Sequence, residues 1–225
     1  MTDKKINIAI DGPAAGGKTT VARIAAGRLG IVYLDTGMMY RAVCWQALQK
    51  NCNLEDKAAL GRLAEELDLR MIPDAQSGCR VLVGETDVTD VLHNPDINKS
   101  VSIVAAVSAV RADMVRRQRE MAVAGGILMA GRDICTVVLP DARLKYYLDA
   151  SLEERARRRL LDLQRSGAEV TFEEVKAQLA ERDYIDSHRA DSPLVQAPDA
   201  KYINCDHLSA EEVADIICKD FSEVD

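Results

Sequence analysis

The stretch that most restricts the fold of this chain lies at its beginning, where the apolar run Ile6-Asn7-Ile8-Ala9-Ile10 leads into Asp11 and then Gly12-Pro13-Ala14-Ala15-Gly16-Gly17-Lys18-Thr19-Thr20. The spacing is G-x-x-x-x-G-K-T. It makes chemical sense only if a strand delivers the chain to a tight glycine turn and a helix leaves it, so that backbone N–H groups converge on a β-phosphate. Gly12 and Gly17 allow the close approach. Lys18 then reaches the β- and γ-phosphates as a point charge, and the Thr19 hydroxyl is placed for the Mg2+ ion that bridges them. The helix-forming run Thr19 to Leu29, closed by Gly30, supplies the required context, so residues 12–20 are read as a nucleotide-binding loop.

Strand and helix patterns alternate from there on. Ile31 to Leu34 is a short apolar run ending in Asp35-Thr36-Gly37, and helical patterns follow from Met38 to about Lys50 and from Asp56 to Asp68. Leu69 to Ile72, Arg80 to Val83 and Thr86 to Val88 read as a small antiparallel meander, with turns at 73–78 and 84–85. Two helices between Pro95 and Ala124 precede a buried strand, Ile127 to Ala130, that ends in Gly131-Arg132-Asp133. Further strands are expected at Leu144 to Leu148 and near Tyr202 to Asn204. The pattern S/T-x-x-E marks helix starts at Ser151, Thr171 and Ser209. The expectation is an α/β fold: one domain over 1–225, with a five-stranded parallel sheet, helices on both faces, and ligands beyond the carboxyl ends of the strands.

A net charge of −7 argues against general binding to nucleic acid or to an acidic membrane, and requires arginines to be concentrated locally if two phosphorylated ligands are held. The start of the chain shows no apolar leader and no run is long enough to span a membrane, so a cytoplasmic protein is expected. The six cysteines are scattered, with no C-x-x-C pair, and are expected to be free buried thiols. The absence of a heptad seam or apolar interface stripe leads to the expectation of a monomer. His93, His188 and His207 are expected on the surface or in loops.

A nucleotide loop alone does not set the reaction. A GTPase needs a base-reading N-K-x-D, and the Asn98-Lys99 pair continues Ser100-Val101. A mechanical ATPase wants an acidic pair closing an apolar strand to position water, whereas the corresponding strand here ends Gly131-Arg132-Asp133, which favours a phosphate acceptor. Arg155, Arg157, Arg158 and Arg159 crowd one helix start and are candidates for a cover over the transferring group, against the alternative of a solvated face partnered by Glu153, Glu154 and Asp162. Arg182, Asp186 and Arg189 stand at i, i+4 and i+7 and so share a helical face. As a surface ladder they contribute only ~0.3–0.5 kcal/mol per pair; as a site, two guanidinium groups flank a carboxylate able to accept from a sugar diol.

Taken together, Asp11 to Thr20, Leu34-Asp35-Thr36-Gly37 with Tyr40-Arg41-Ala42, Gly131-Arg132-Asp133, and Glu181-Arg182-Asp183 through Asp186 and Arg189 to Ser192-Pro193-Leu194 resemble the bacterial cytidylate kinases over essentially the full length. The resemblance implies a nucleoside monophosphate kinase that transfers the γ-phosphoryl group of ATP, with Mg2+, to CMP or dCMP. It implies an acceptor-binding insertion at about 36–125, which contains the meander, and a short mobile lid at about 153–168. Arg41 and Arg132 then hold the acceptor phosphate, with Asp35 and Thr36 in the same substrate site. Ser102, Arg111 and Asp133 read cytosine, Arg182 and Asp186 hold the sugar, and Arg189 lies near base and phosphates. Lys18, Arg132, Arg158, Arg159, Arg182 and Arg189 form the catalytic set.

A carboxylate at 133 accepts from the amino group that cytosine has and uracil lacks, so UMP is disfavoured by ~1–3 kcal/mol or more. The family pattern has glycine where this chain has Cys135. If the backbone there needs positive φ, cysteine adds about 1 kcal/mol of strain and displaces Asp133. Competing readings are a kinase of the same fold acting on UMP, AMP or a small alcohol, and a nucleotide-binding regulator that has lost transfer.

Overall fold

The computed structural model describes residues 6–74, 78–165 and 167–224; the centre of the turn expected at 73–78 and the first five residues lie outside them. The chain runs β1 (Ile8–Asp11), α1 (Lys18–Leu29), β2 (Val32–Asp35), α2 (Thr36–Gln49), α3 (Lys57–Glu66), β3 (Leu69–Asp74), β4 (Gly78–Val83), β5 (Thr86–Asp87), α4 (Pro95–Ala105), α5 (Ser108–Ala122), β6 (Ile127–Gly131), β7 (Leu144–Asp149), α6 (Leu152–Arg165), α7 (Phe172–His188), β8 (Lys201–Asn204) and α8 (Ala210–Val224). The expected parallel sheet forms with strand order β2-β6-β1-β7-β8, and β3, β4 and β5 make the separate antiparallel meander. No helix among the described residues is long and apolar enough to cross a membrane.

Successive strand residues point to opposite faces, and this alternation divides the core. Ala9, Leu34 and Met129 pack under α2 to α5 and the meander, whereas Ile8, Ile10, Tyr33, Leu128 and Ala130 pack under α1 and α8. A third, small apolar cluster of Ala14, Ala156, Val175 and Leu179 seats the α6–α7 pair on the glycine loop.

The carboxy-terminal helices start where their caps predict. Thr171 with Glu174 and Ser209 with Glu212 each make both reciprocal bonds. Ser151 makes only half of its expected box: Glu154 N–H donates to its Oγ at 3.3 Å, but Arg158 Nε captures the Glu154 carboxylate at 2.9 Å and Ser151 N–H turns to Asp206 at 2.7 Å. After β6 the sequence reading missed an element. Residues Ile134–Val138 form a wide helical turn in which Val138 N–H and Leu139 N–H reach back to the carbonyls of Asp133 and Ile134 at 3.1 and 2.8 Å.

The expected strain at Cys135 does not arise. Among the described residues, the positive-φ residues other than glycine are Ala15, Asn51 and Ser192, and Cys135 sits buried in the wide turn with its Sγ 3.5 Å from the Ala9 carbonyl. All six cysteines are free thiols; Cys52 and Cys218 are only half-buried.

Candidate active site

β1 ends at Asp11, and Gly12 follows with φ 149°. A Cβ there would lie 1.9 Å from the Leu148 carbonyl oxygen on β7, so only glycine lets the loop run against the neighbouring strand. Pro13 supplies the carbonyl that accepts from Lys18 Nζ at 2.6 Å. Gly17, at φ 88°, heads α1 without a side chain to cap it, leaving the first N–H groups of the helix directed at the loop's hollow. Burial, followed by repulsion from Arg132, pushes the Lys18 ammonium well below its ordinary pKa. An anionic ligand opposes both effects.

The hollow opens into a cavity of about 470 Å³ whose wall includes the loop from Ala14 to Thr20 at one end and Ser102, Arg111 and Asp133 at the other. Gly12 and Pro13 shape the loop from behind and do not line it. Asp35 closes β2: its Oδ1 caps α2 by accepting from Gly37 N–H at 2.9 Å, and its Oδ2 accepts from the Thr19 hydroxyl at 3.1 Å. Thr36 lines the cavity with its hydroxyl donated to the Ala130 carbonyl at 2.9 Å. Thr19 and Asp35 therefore present oxygen ligands beside the loop. No group of three or more His, Cys, Asp or Glu side chains suited to a metal occurs among the described residues. This donor set fits Mg2+, which keeps waters and phosphate oxygens in preference to an all-protein cage.

Arginines gather on the opposite wall from elements far apart in sequence. Arg132 Nε bonds Asp186 Oδ2 at 2.8 Å, and Arg182 Nε stands 4.0 Å from the same oxygen. Arg111 pairs with Asp133 in the interior. Arg189 lies 3.7 Å from Asp133 and 3.9 Å from Asp186. Two carboxylates thus face four guanidinium groups, and Arg111 Nε, Arg182 Nε and Arg189 Nη2 are buried without a hydrogen-bond partner. Burial and then Arg132 lower the Arg182 pKa to about 10; burial opposes ionisation of Asp186, but Arg132 and Arg182 overcome it and hold the carboxylate below its usual range. Such surplus positive charge away from water is a preformed receptor for anions. It also meets the local concentration of arginine that the acidic average charge demanded.

Arg41 is braced by the Leu92 carbonyl and Asn98 Oδ1 at 2.8 and 2.7 Å, so that α2 presents it to the cavity. Ser102 comes from α4, and Arg111 from α5 lies with its guanidinium carbon 5.3 Å from the Tyr40 ring centroid. The expected shared helical face of Arg182, Asp186 and Arg189 is modified: α7 ends at His188, and Arg189 is its extended C-cap residue. Its side chain returns to the cavity because Nε is held by the Ser192 carbonyl at 2.8 Å.

The run in α6 divides. Arg158 and Arg159 line the cavity, with Arg158 tethered to the Cys205 carbonyl at 2.6 Å. Arg157 is exposed, near Glu154. Arg155 is buried and belongs to the framework, not the cover, bonding the Ala14 carbonyl at 3.1 Å and pairing with Asp183 at 2.6 Å. Sequence reading gave no role to Tyr40 or His93, which also line the cavity; His93 sits in a short turn with no periodicity to reveal its direction, while Tyr40 stood visibly beside Arg41.

Comparison with known proteins identifies the family. A cytidylate kinase from Pelotomaculum thermopropionicum is 48% identical over 211 residues, covering 94% of this chain and 93% of that protein. One from Bacillus subtilis is 46% identical over 215 residues, 96% of each. An uncharacterized protein of known structure from Eubacterium ventriosum shares the fold, with a TM-score of 0.53 at 14% identity over 98% of this chain and 99% of that one. The cytidylate kinase family pattern matches residues 8–223, and with relatives this similar from end to end, the chain belongs to the cytidylate kinase family.

Proposed function

We propose that this protein transfers the γ-phosphoryl group of ATP to CMP or dCMP, releasing ADP and the cytidine diphosphate. The observation that carries the reading is one cavity with a phosphate loop at one end and, at the other, a buried carboxylate between arginines.

The loop N–H groups and Lys18 grip the donor phosphates. Thr19, with Asp35 beside it, would hold Mg2+, which would supply charge neutralisation to the donor phosphates. Arg41 and Arg132 hold the acceptor phosphate in line, Arg182 and Asp186 orient the sugar, and Ser102, Arg111 and Asp133 read the base. The attacking phosphate oxygen is already anionic, so no strong general base is required. As its bond to the γ-phosphorus forms and the bond to the ADP oxygen breaks, charge spreads over the equatorial oxygens, where Arg158, Arg159 and Arg189 neutralise it. Arg158 and Arg159, on the cavity side of α6, support a lid at about 153–168 over the donor, and residues 36–125 act as the acceptor-binding part of a single kinase domain. A cytoplasmic monomer completes the reading, in keeping with its free thiols.

The test is ADP formation from Mg-ATP with CMP, dCMP, UMP and AMP offered separately. Fast turnover with the two cytidylates and little with UMP is expected. Equal use of UMP removes the base-reading assignment, and ATP binding without turnover on any acceptor favours a regulator.

A further inference from the structure

Asp11 is fully buried and joins no ion pair among the described residues. Its Oδ1 accepts from Ile134 N–H and its Oδ2 from Cys135 N–H, each at 2.8 Å. These are the first two amides of the wide turn 134–138, which directly follows Arg132 and Asp133. The far end of that turn is held from α5, where Arg119 donates to the carbonyls of Val137 and Val138 at 2.6 and 3.3 Å. On its other side Asp11 is bonded to Gly12, whose own place is set by the β7 backbone.

We propose that Asp11 is a positioning residue that sets the acceptor-reading turn against the phosphate-donor loop, with Arg119 locking the other end of the turn. Two N–H donors converge on one side chain, and only a carboxylate offers an oxygen to each; asparagine would turn an NH2 against one of them. The chain keeps this unpaired carboxylate in its interior although burial pushes the pKa up to about 6. An apolar or amide side chain would avoid that cost but leave an amide of the turn unpaired.

The proposal rests on the phosphoryl-transfer reading, and the experiment separates the two. Wild type, Asp11→Asn and Arg119→Ala are compared for kcat and KM with CMP, UMP and ATP, and for amide hydrogen exchange over residues 131–139. Losing one hydrogen bond to a charged group corresponds to about tenfold. The ratio of kcat/KM for CMP over UMP should fall by about that factor in Asp11→Asn, with faster exchange in the turn. Arg119→Ala, an exposed side chain whose loss leaves folding intact, should shift both in the same direction, with KM for ATP held within about twofold. Unchanged exchange and an unchanged ratio in both variants overturn the proposal, as does an equal loss on all substrates. A wild type without preference for CMP refutes the base-reading assignment instead; the exchange data then decide the clamp alone, faster exchange in both variants retaining it and unchanged exchange removing it.

Discussion

Asp133→Asn separates two duties of one carboxylate. Asp133 is 3% exposed and is the counter-charge for Arg111, with Arg189 3.7 Å away. Taking away its charge leaves the buried Arg111 guanidinium without its carboxylate and Arg189 with Asp186 alone, and breaking such a pair costs roughly 3–5 kcal/mol. The amide oxygen of asparagine still accepts from Arg111, so the lower end applies, about 3 kcal/mol. For a chain of this size that is a fall of about 6–12 °C in Tm. Base reading changes independently. On the proposed base reading, the carboxylate accepts from the cytosine amino group and repels the uracil carbonyl, a difference of about 1–3 kcal/mol, or roughly 5- to 150-fold in kcat/KM. An amide presents an acceptor or a donor by rotation, so the CMP preference should collapse to within a few-fold, mainly because UMP improves. Coupled ADP assays with both nucleotides, run well below the lowered Tm, measure the ratio. If Tm falls as calculated while the CMP to UMP ratio stays within about twofold of wild type, Asp133 is only a counter-ion and the base is read elsewhere.

Three other outcomes follow. Gly12→Ala places a Cβ 1.9 Å from the Leu148 carbonyl at a φ of 149°, so it should destabilise by more than about 3 kcal/mol, visible as loss of soluble protein or a large drop in Tm; a stable, active variant would falsify the close approach. Asp11 has its folded pKa raised from 3.8 to about 6, so it lowers stability as pH rises through that window, by about 3 kcal/mol in full. Denaturant unfolding from pH 4 to 7 should therefore show Asp11→Asn gaining on wild type as pH rises, and a constant difference contradicts the burial argument. Cys135→Gly relieves no strain, because Cys135 is not at positive φ; it should cost about 1 kcal/mol from lost packing and backbone entropy and leave the CMP to UMP ratio intact, whereas a gain in stability points to strain after all.

Much of the architecture was legible before any coordinate. The loop from Gly12 to Thr19, the alternating apolar runs and the reciprocal caps at Thr171 and Ser209 are interactions among residues a few positions apart, which the order of residues states directly. The family resemblance named candidate acceptor-site residues, though not how they are held. The wide turn after Asp133 escaped notice, since its hydrogen bonds run five residues back and its anchor, Asp11, is 123 positions away from Ile134.

What the sequence by itself determined was the α/β order, the nucleotide loop, the inserted meander and the need to gather arginines in an acidic chain. Only tertiary structure decided which arginines those are. Arg155, Arg157 and Arg158 lie within one turn of α6, yet one is buried against Ala14 and Asp183, one faces solvent and one faces the cavity. Helical periodicity orders side chains around an axis, but the direction of that axis, and the partner each charge meets, come from how α6 packs on α7 and the glycine loop. Asp133 and Asp186 likewise become the shared counter-charge of four guanidinium groups only when β6, α5 and the end of α7 converge, because Coulomb energy depends on distance in space and not along the chain.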